Sequence, residues 1–235
     1  MIKFGIRQSF DRIEQVEDRY SNLKAPVEVA LPYYWDIYES VRGHLAEIAE
    51  KIKSYNATVI GIHAVQASIT DEKFKTWGNE IADFAKTLGV RTITLHPNNV
   101  NKDEGVQKKA LENLEYFTRL YNGEVVFCIE TFEGKRRVFT PDETVAFNLP
   151  MTLDTSHILD EKTIWRLIKE YKQNIKNVHL SAKEGNKQHL PIDTFCKDVV
   201  SYLIESKWDG NVVLEYLFEF HDRMLNDLKL LEAMK

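Results

Sequence analysis

The stretch MTLDTSHIL, residues 151–159, starts as an apolar run and places Asp154 and His157 three residues apart where that run stops. A carboxylate and an imidazole so paired can hold a metal ion or move a proton. Similar endings recur along the chain: VIGIHA ends on His63, ITLHPN on His96, VVFCIET on Glu130 and VVLEY on Glu215, while NVHLS carries His179. Five of the seven histidines, His63, His96, His157, His179 and His189, fall at or just beyond such endings, whereas His44 and His221 lie on expected helices. Singly, a histidine there is more often a hydrogen-bonded structural residue, and a glutamate a solvated charge or helix cap. Gathered in one place, three carboxylates would repel unless a cation neutralised them. Imidazoles mixed with carboxylates, without thiols, point to a divalent metal, zinc first and manganese second.

These side chains meet only if the runs that carry them are parallel strands ending on one face. Eight strands are expected, at residues 2–6, 27–31, 58–63, 92–96, 125–130, 151–154, 177–180 and 212–215. Continuous apolar runs such as TVIGI, VVFCI and NVVL imply burial on both faces, which helix-covered parallel strands provide. Between them, helical periodicity predicts helices over 41–54, 71–88, 103–121, 160–172, 193–206 and 221–234, with 9–21 the least defined segment. Thr140 before Pro141-Asp142-Glu143 reads as a helix start, and Gly89 as a stop. Eight such alternations predict an α/β fold, a single (β/α)8 TIM barrel over residues 1–235, whose active site belongs at the carboxyl ends of the strands. An open doubly wound sheet is the alternative, weakened because no Gly-rich phosphate turn follows the first strand.

Charged residues at 29% and hydrophobic residues at 43% suit a globular chain, and no apolar run is long enough for a membrane span. The start, MIKFGIRQSF, lacks the apolar segment and cleavage site of a secretory signal, which predicts a cytoplasmic protein. Cys128 and Cys196 are expected to be buried, unpaired thiols. A net charge of -5 argues against a general nucleic-acid footprint but leaves room for a local basic surface. Oligomeric state stays open.

The Glu of VVFCIET, the D-x-x-H of LDTSH, the VHL of strand seven and the LE closing strand eight resemble the xylose isomerase-like barrel superfamily over residues 1 to about 220. With His63, His96 in LHPN, and His189, the chain most resembles the endonuclease IV branch, the metal-dependent AP endonucleases. The resemblance implies one metal on His63, His96 and a bridging Glu130, a second on Glu130, Asp154, His179 and Glu215, and a third on His157 and His189. Two positions depart from that branch. Lys187 stands where the family has a ligating Asp two residues before His189, and Arg7 where it has a site-facing histidine. The Lys187 ammonium is one candidate for the third metal's role of holding a phosphate oxygen, an incidental lysine in the polar stretch SAKEGNKQH being the plain alternative. Arg7 can bind phosphate or carboxylate, or pair with a rim acid.

Two reactions follow. In phosphoester hydrolysis, paired metals polarise the phosphate and acidify water, with Glu130 bridging and Lys135, Arg136, Arg137 and Lys183 guiding a polyanion. DNA is the substrate the branch implies; the short chain and its acidity allow a smaller phosphoester or a sugar. In sugar or sugar-phosphate isomerisation or epimerisation, one metal on Glu130, Asp154, His179 and Glu215 binds substrate oxygens, the glutamates Glu130 and Glu215 move the proton, and His157 contacts substrate. Only hydrolysis requires His63 and His96. A third reading, a barrel that binds a metal or small ligand without catalysis, leaves open coordination positions unexplained.

Overall fold

Eight short runs rich in β-branched residues form the strands of a closed parallel barrel: β1 (Lys3–Ser9), β2 (Val27–Ala30), β3 (Val59–His63), β4 (Thr92–Leu95), β5 (Val126–Glu130), β6 (Met151–Asp154), β7 (Ile175–Leu180) and β10 (Asn211–Leu214). Each pairs with its neighbours in chain order, and β1 closes the ring on β10 with Lys3 opposite Asn211 and Ile6 opposite Leu214. The computed structural model describes residues 1–97, 103–133, 137–158 and 160–235. Among them no helix is long and apolar enough to cross a membrane.

Helices follow the strands: α1 (Gln15–Tyr20), α2 (Trp35–Val41), α3 (Leu45–Ser54), α4 (Phe74–Thr87), α5 (Glu104–Tyr121), α6 (Pro141–Ala146), α7 (Glu161–Tyr171), α8 (Thr194–Glu205) and α9 (His221–Glu232). Several begin where side chains satisfy the free N–H groups of the first turn. Asp103, Asp160 and Asp193 accept from the backbone N–H of Val106, Lys162 and Cys196. Thr140 and Glu143 form a reciprocal capping box at α6. Apolar helix faces pack on the barrel in two clusters, one around Trp77, Phe74 and Phe117, the other around Ile164, Val200 and Leu228. Cys128 and Cys196 are buried and unpaired.

Three elements differ from the sequence expectation. The helix expected over 41–54 begins earlier and is broken by a 3-10 turn at Arg42–His44, where Gly43 weakens the helix. The first strand runs on to Ser9, leaving only six residues for α1. SAKEGNKQH forms an antiparallel hairpin, β8 (Ala182–Glu184) with β9 (Lys187–Leu190), instead of a loop. Gly185, at φ +59°, supplies the left-handed residue that the two-residue turn needs.

Candidate metal centre

Parallel closure brings the strand ends to one rim. His63, Glu130 and Asp154 are the last residues of β3, β5 and β6; His179 is the last but one of β7; His96 and Glu215 directly follow β4 and β10. All six are buried. His157 comes from the turn after β6, and His189 from the hairpin, with its backbone left-handed at φ +56°. Such strained residues concentrate at functional sites.

Two groups of candidate ligands result: His63, Glu130, His179 and Glu215, and Asp154, His157 and His189, each offering atoms within 4.8 Å of one another. His96 joins the first, its Nε2 lying 2.8 Å from Glu130 Oε2 and 3.2 Å from His63 Nε2. Glu130 stands between imidazoles: Oε1 is 2.8 Å from His179 Nδ1 and 4.0 Å from His157 Nδ1, while Oε2 faces His96 and, at 3.7 Å, His63. The partition shifts from the one the resemblance implies. Asp154 Oδ2 lies nearer His157 Nδ1, at 3.5 Å, than His179 Nδ1, at 3.9 Å, so Asp154 joins His157 and His189.

Each side chain is held by its surroundings. His63 Nδ1 sits 3.1 Å from the Ala64 carbonyl, which assigns the proton to Nδ1 and turns the Nε2 lone pair inward. Asp154 Oδ1 accepts from Ser156 N at 2.7 Å, Ser156 Oγ at 2.9 Å and His157 N at 3.0 Å, leaving Oδ2 for the site. The His157 ring stacks on Phe132 with centroids 3.8 Å apart, and its Nε2 is 3.1 Å from His189 Nε2.

Electrostatics fit ligation at His63, His189 and Glu130, whereas His179 must give up a proton to bind a metal. Burial, helped by the Arg7 charge, pushes the His63 pKa down to about 3, and burial brings His189 to about 4, so both offer neutral nitrogens at neutral pH. Burial opposes ionisation of Glu130, yet the His96 charge, the hydrogen bond from His179 and the close approach of the His63 and His96 imidazoles hold it well below the usual carboxylate range. Burial also opposes a charge on His179, but the carboxylates of Glu28 and Glu130 raise it to about 10. Glu130 Oε2, Asp154 Oδ2, Glu215 Oε2 and His157 Nδ1 are buried without an aligned hydrogen bond. Unpaired buried oxygens of this kind are costly, and a divalent cation would satisfy them. The nitrogen and oxygen donor set therefore fits the zinc or manganese expected from sequence.

The basic residues divide. Arg7 is bonded to Glu215 Oε1, and the two line a cavity of about 210 Å³ with Ser9, Asp11, Tyr33 and His221. Lys183 Nζ is buried with no hydrogen bond, in the field of Glu133, Glu161, Asp160 and Asp154, and burial lowers its pKa. Arg137 lies over the Phe132 ring at 4.4 Å. Lys135 and Arg136 fall outside the described residues. Lys187 does not reach the ligands: beside the hairpin turn, opposite Glu184, it pairs with Glu219 at 2.9 Å and is half exposed. Of the two readings of Lys187, this ion pair, which holds the ammonium away from both ligand groups, agrees with the incidental lysine of a polar stretch.

Sequence reading missed Glu28, fully buried with Oε2 2.9 Å from His179 Nε2, and Tyr33 and His221 at the cavity. The available signal was a lone charge inside the apolar strand VEVA.

Comparison with curated proteins finds no match. Among solved structures, a putative xylose isomerase from Rhodospirillum rubrum superposes with a TM-score of 0.66 at 13% identity, covering 100% of this chain and 97% of that one. The IOLI protein, crystallised with a zinc atom, gives 0.58 at 13%, covering 99% and 96%. A sugar phosphate isomerase/epimerase from Parabacteroides distasonis gives 0.57 at 10%, covering 94% and 88%. Identities this low speak for the barrel alone. Residues 25–233, however, match the family described as xylose isomerase-like TIM barrel, a span that takes in seven of the eight barrel strands and every candidate ligand. The ring of histidines and carboxylates thus stands on a barrel whose sequence pattern and shape agree, and the chain belongs to the xylose isomerase-like TIM barrel family.

Proposed function

We propose that the chain is a divalent-metal-dependent enzyme that hydrolyses phosphoesters, related in its site to endonuclease IV. One observation carries this reading: the two oxygens of Glu130 face different imidazoles, His179 and His157 on one side, His96 and His63 on the other, so that this one carboxylate would serve two metals. His63 and His96 would complete one position, His179 and Glu215 a second, and Asp154 with His157 and His189 extends the set. Zinc is the first candidate metal and manganese the second. Bound metal would supply Lewis acidity and lower the pKa of water. The chain's own part is orientation and charge. Glu130 keeps its charge through its imidazoles, Asp154 is aimed by its turn, and Arg7 and Lys183 hold the substrate's anionic oxygens. The small cavity at Arg7 and Glu215 favours a small phosphoester over DNA.

A second reading has its own support. Glu130 Oε1 and Glu215 Oε2 approach His179 Nδ1 at 2.8 and 3.0 Å, so two glutamates flank one position, the arrangement by which they would move a proton between adjacent carbons of a sugar or sugar phosphate. The Parabacteroides protein that shares the barrel is named for that chemistry.

The test starts with metal analysis of the purified protein, followed by assays on small phosphomonoesters and phosphodiesters, abasic-site DNA and ketose–aldose pairs. Hydrolysis lost on His63→Ala and on His96→Ala supports the first reading. Isomerisation that survives both substitutions, with no hydrolysis in the parent protein, replaces it with the second.

A further inference from the structure

We infer that Glu28 is the positioning residue of the centre, fixing the His179 ring so that Nδ1 faces the metal and Nε2–H is held from behind. The inference rests on the metal-centre reading. His179 is fully buried and carboxylates approach both its nitrogens. Glu130 and Glu215 face Nδ1 on the rim side; on the interior side Glu28 Oε2 lies 2.9 Å from Nε2, close but without an aligned hydrogen bond, and Asn177 Nδ2 lies 3.1 Å from the same nitrogen. A neutral imidazole carries one N–H, so a ring that gives Nδ1 to a metal presents Nε2–H to Glu28.

Glu28 is itself fixed. Its Oε1 accepts from Asn177 Nδ2 at 2.8 Å; Asn177 reaches Thr94 Oγ1 at 3.2 Å, and Thr94 Oγ1 lies 2.8 Å from Thr152 Oγ1. The four side chains come from β2, β7, β4 and β6 and are fully buried, forming a polar layer beneath the rim in a barrel interior usually filled by Val, Ile and Leu. Gly61 on β3 leaves the space: a Cβ there would stand 3.2 Å from Glu28 Oε1. A buried carboxylate is retained against its desolvation only with partners of this kind. A carboxylate behind a ligating histidine fixes the tautomer and raises ligand basicity, and losing one typically weakens metal binding by about 10–100-fold.

Two measurements test this. The first is zinc affinity, by competition with a chromophoric chelator, for the full chain and Glu28→Gln, which keeps shape and an acceptor but removes the charge. A dissociation constant raised by at least about tenfold is expected. A value within about threefold of the parent overturns the inference, as the same network would then be mere packing. The second needs no variant: two-bond proton–nitrogen correlation NMR on the zinc-loaded protein should show His179 metal-bound at Nδ1 and protonated at Nε2. Ligation through Nε2 overturns it. If the parent protein binds no zinc, the metal-centre reading fails instead, which keeps the two failures apart.

Discussion

Asp154 explains why a carboxylate and an imidazole three residues apart stand at the end of a strand. Its Oδ1 takes three donors, two from Ser156 and one from His157, and this tight turn brings the His157 ring to 3.5 Å from Oδ2. The spacing is thus a turn with one oxygen used locally and one left for the site. Asp154→Asn should separate the two roles. Its amide oxygen can keep the turn, but an NH2 then replaces the oxygen that faces His157. The expected result is fewer bound metal ions per chain with an unchanged circular dichroism spectrum; full metal content would remove Asp154 from the ligands. Lys187 makes the opposite case, since an exposed ion pair with Glu219 contributes about 0–1 kcal/mol. Lys187→Ala should leave metal content unchanged and any phosphoester turnover within about twofold of the parent, on the weak energetics of such pairs. A large loss of turnover at full metal content would put the lysine back in the site.

At the level of elements, the strand ends were legible because a helix-covered parallel strand is a continuous apolar run, and the first polar residue after it stands on the rim. His63, Glu130 and Asp154 were found this way. Helix starts were legible through Asp103, Thr140, Asp160 and Asp193, whose side chains cap the N–H groups just after them. Glu28 was not, because the partners that make its burial tolerable, Asn177 and His179, lie about 150 residues away and leave no local pattern. The hairpin was missed for a related reason. Its strands are too short and polar to alternate visibly, and its place is set by distant contacts, among them Leu217 N–H donating to the His189 carbonyl at 2.9 Å. That hairpin carries His189 to the second ligand group, so its turn has a testable consequence. Gly185→Ala puts a Cβ in a left-handed position at a cost of about 1–2 kcal/mol. Metal affinity should fall with it even though Gly185 touches no ligand, and His189→Ala should add little more once the turn is altered. Additive losses would mean that the hairpin does not set His189.

For the whole molecule, the ligands come from β3, β5, β6, β7, the residues after β4 and β10, the turn after β6 and the hairpin, spanning residues 63 to 215. They converge only when the barrel is closed, so a metal that binds them binds the folded chain and scarcely the unfolded one. Linkage then gives stabilisation of about 2.7 kcal/mol at a free metal concentration 100 times the dissociation constant. For a chain of this size that corresponds to roughly 5–10 °C in melting temperature. The two apolar clusters between barrel and helices involve none of the ligands, and the capped helices are closed by their own side chains. Chelation should therefore lower the melting temperature by that amount while leaving one cooperative transition and an unchanged circular dichroism spectrum, and re-addition of zinc should restore it. Calorimetry of stripped and reloaded protein measures both. An unchanged melting temperature in protein known to have lost its metal would mean that the ion sits outside the ring, since nothing tying six strands together can leave without loosening the barrel.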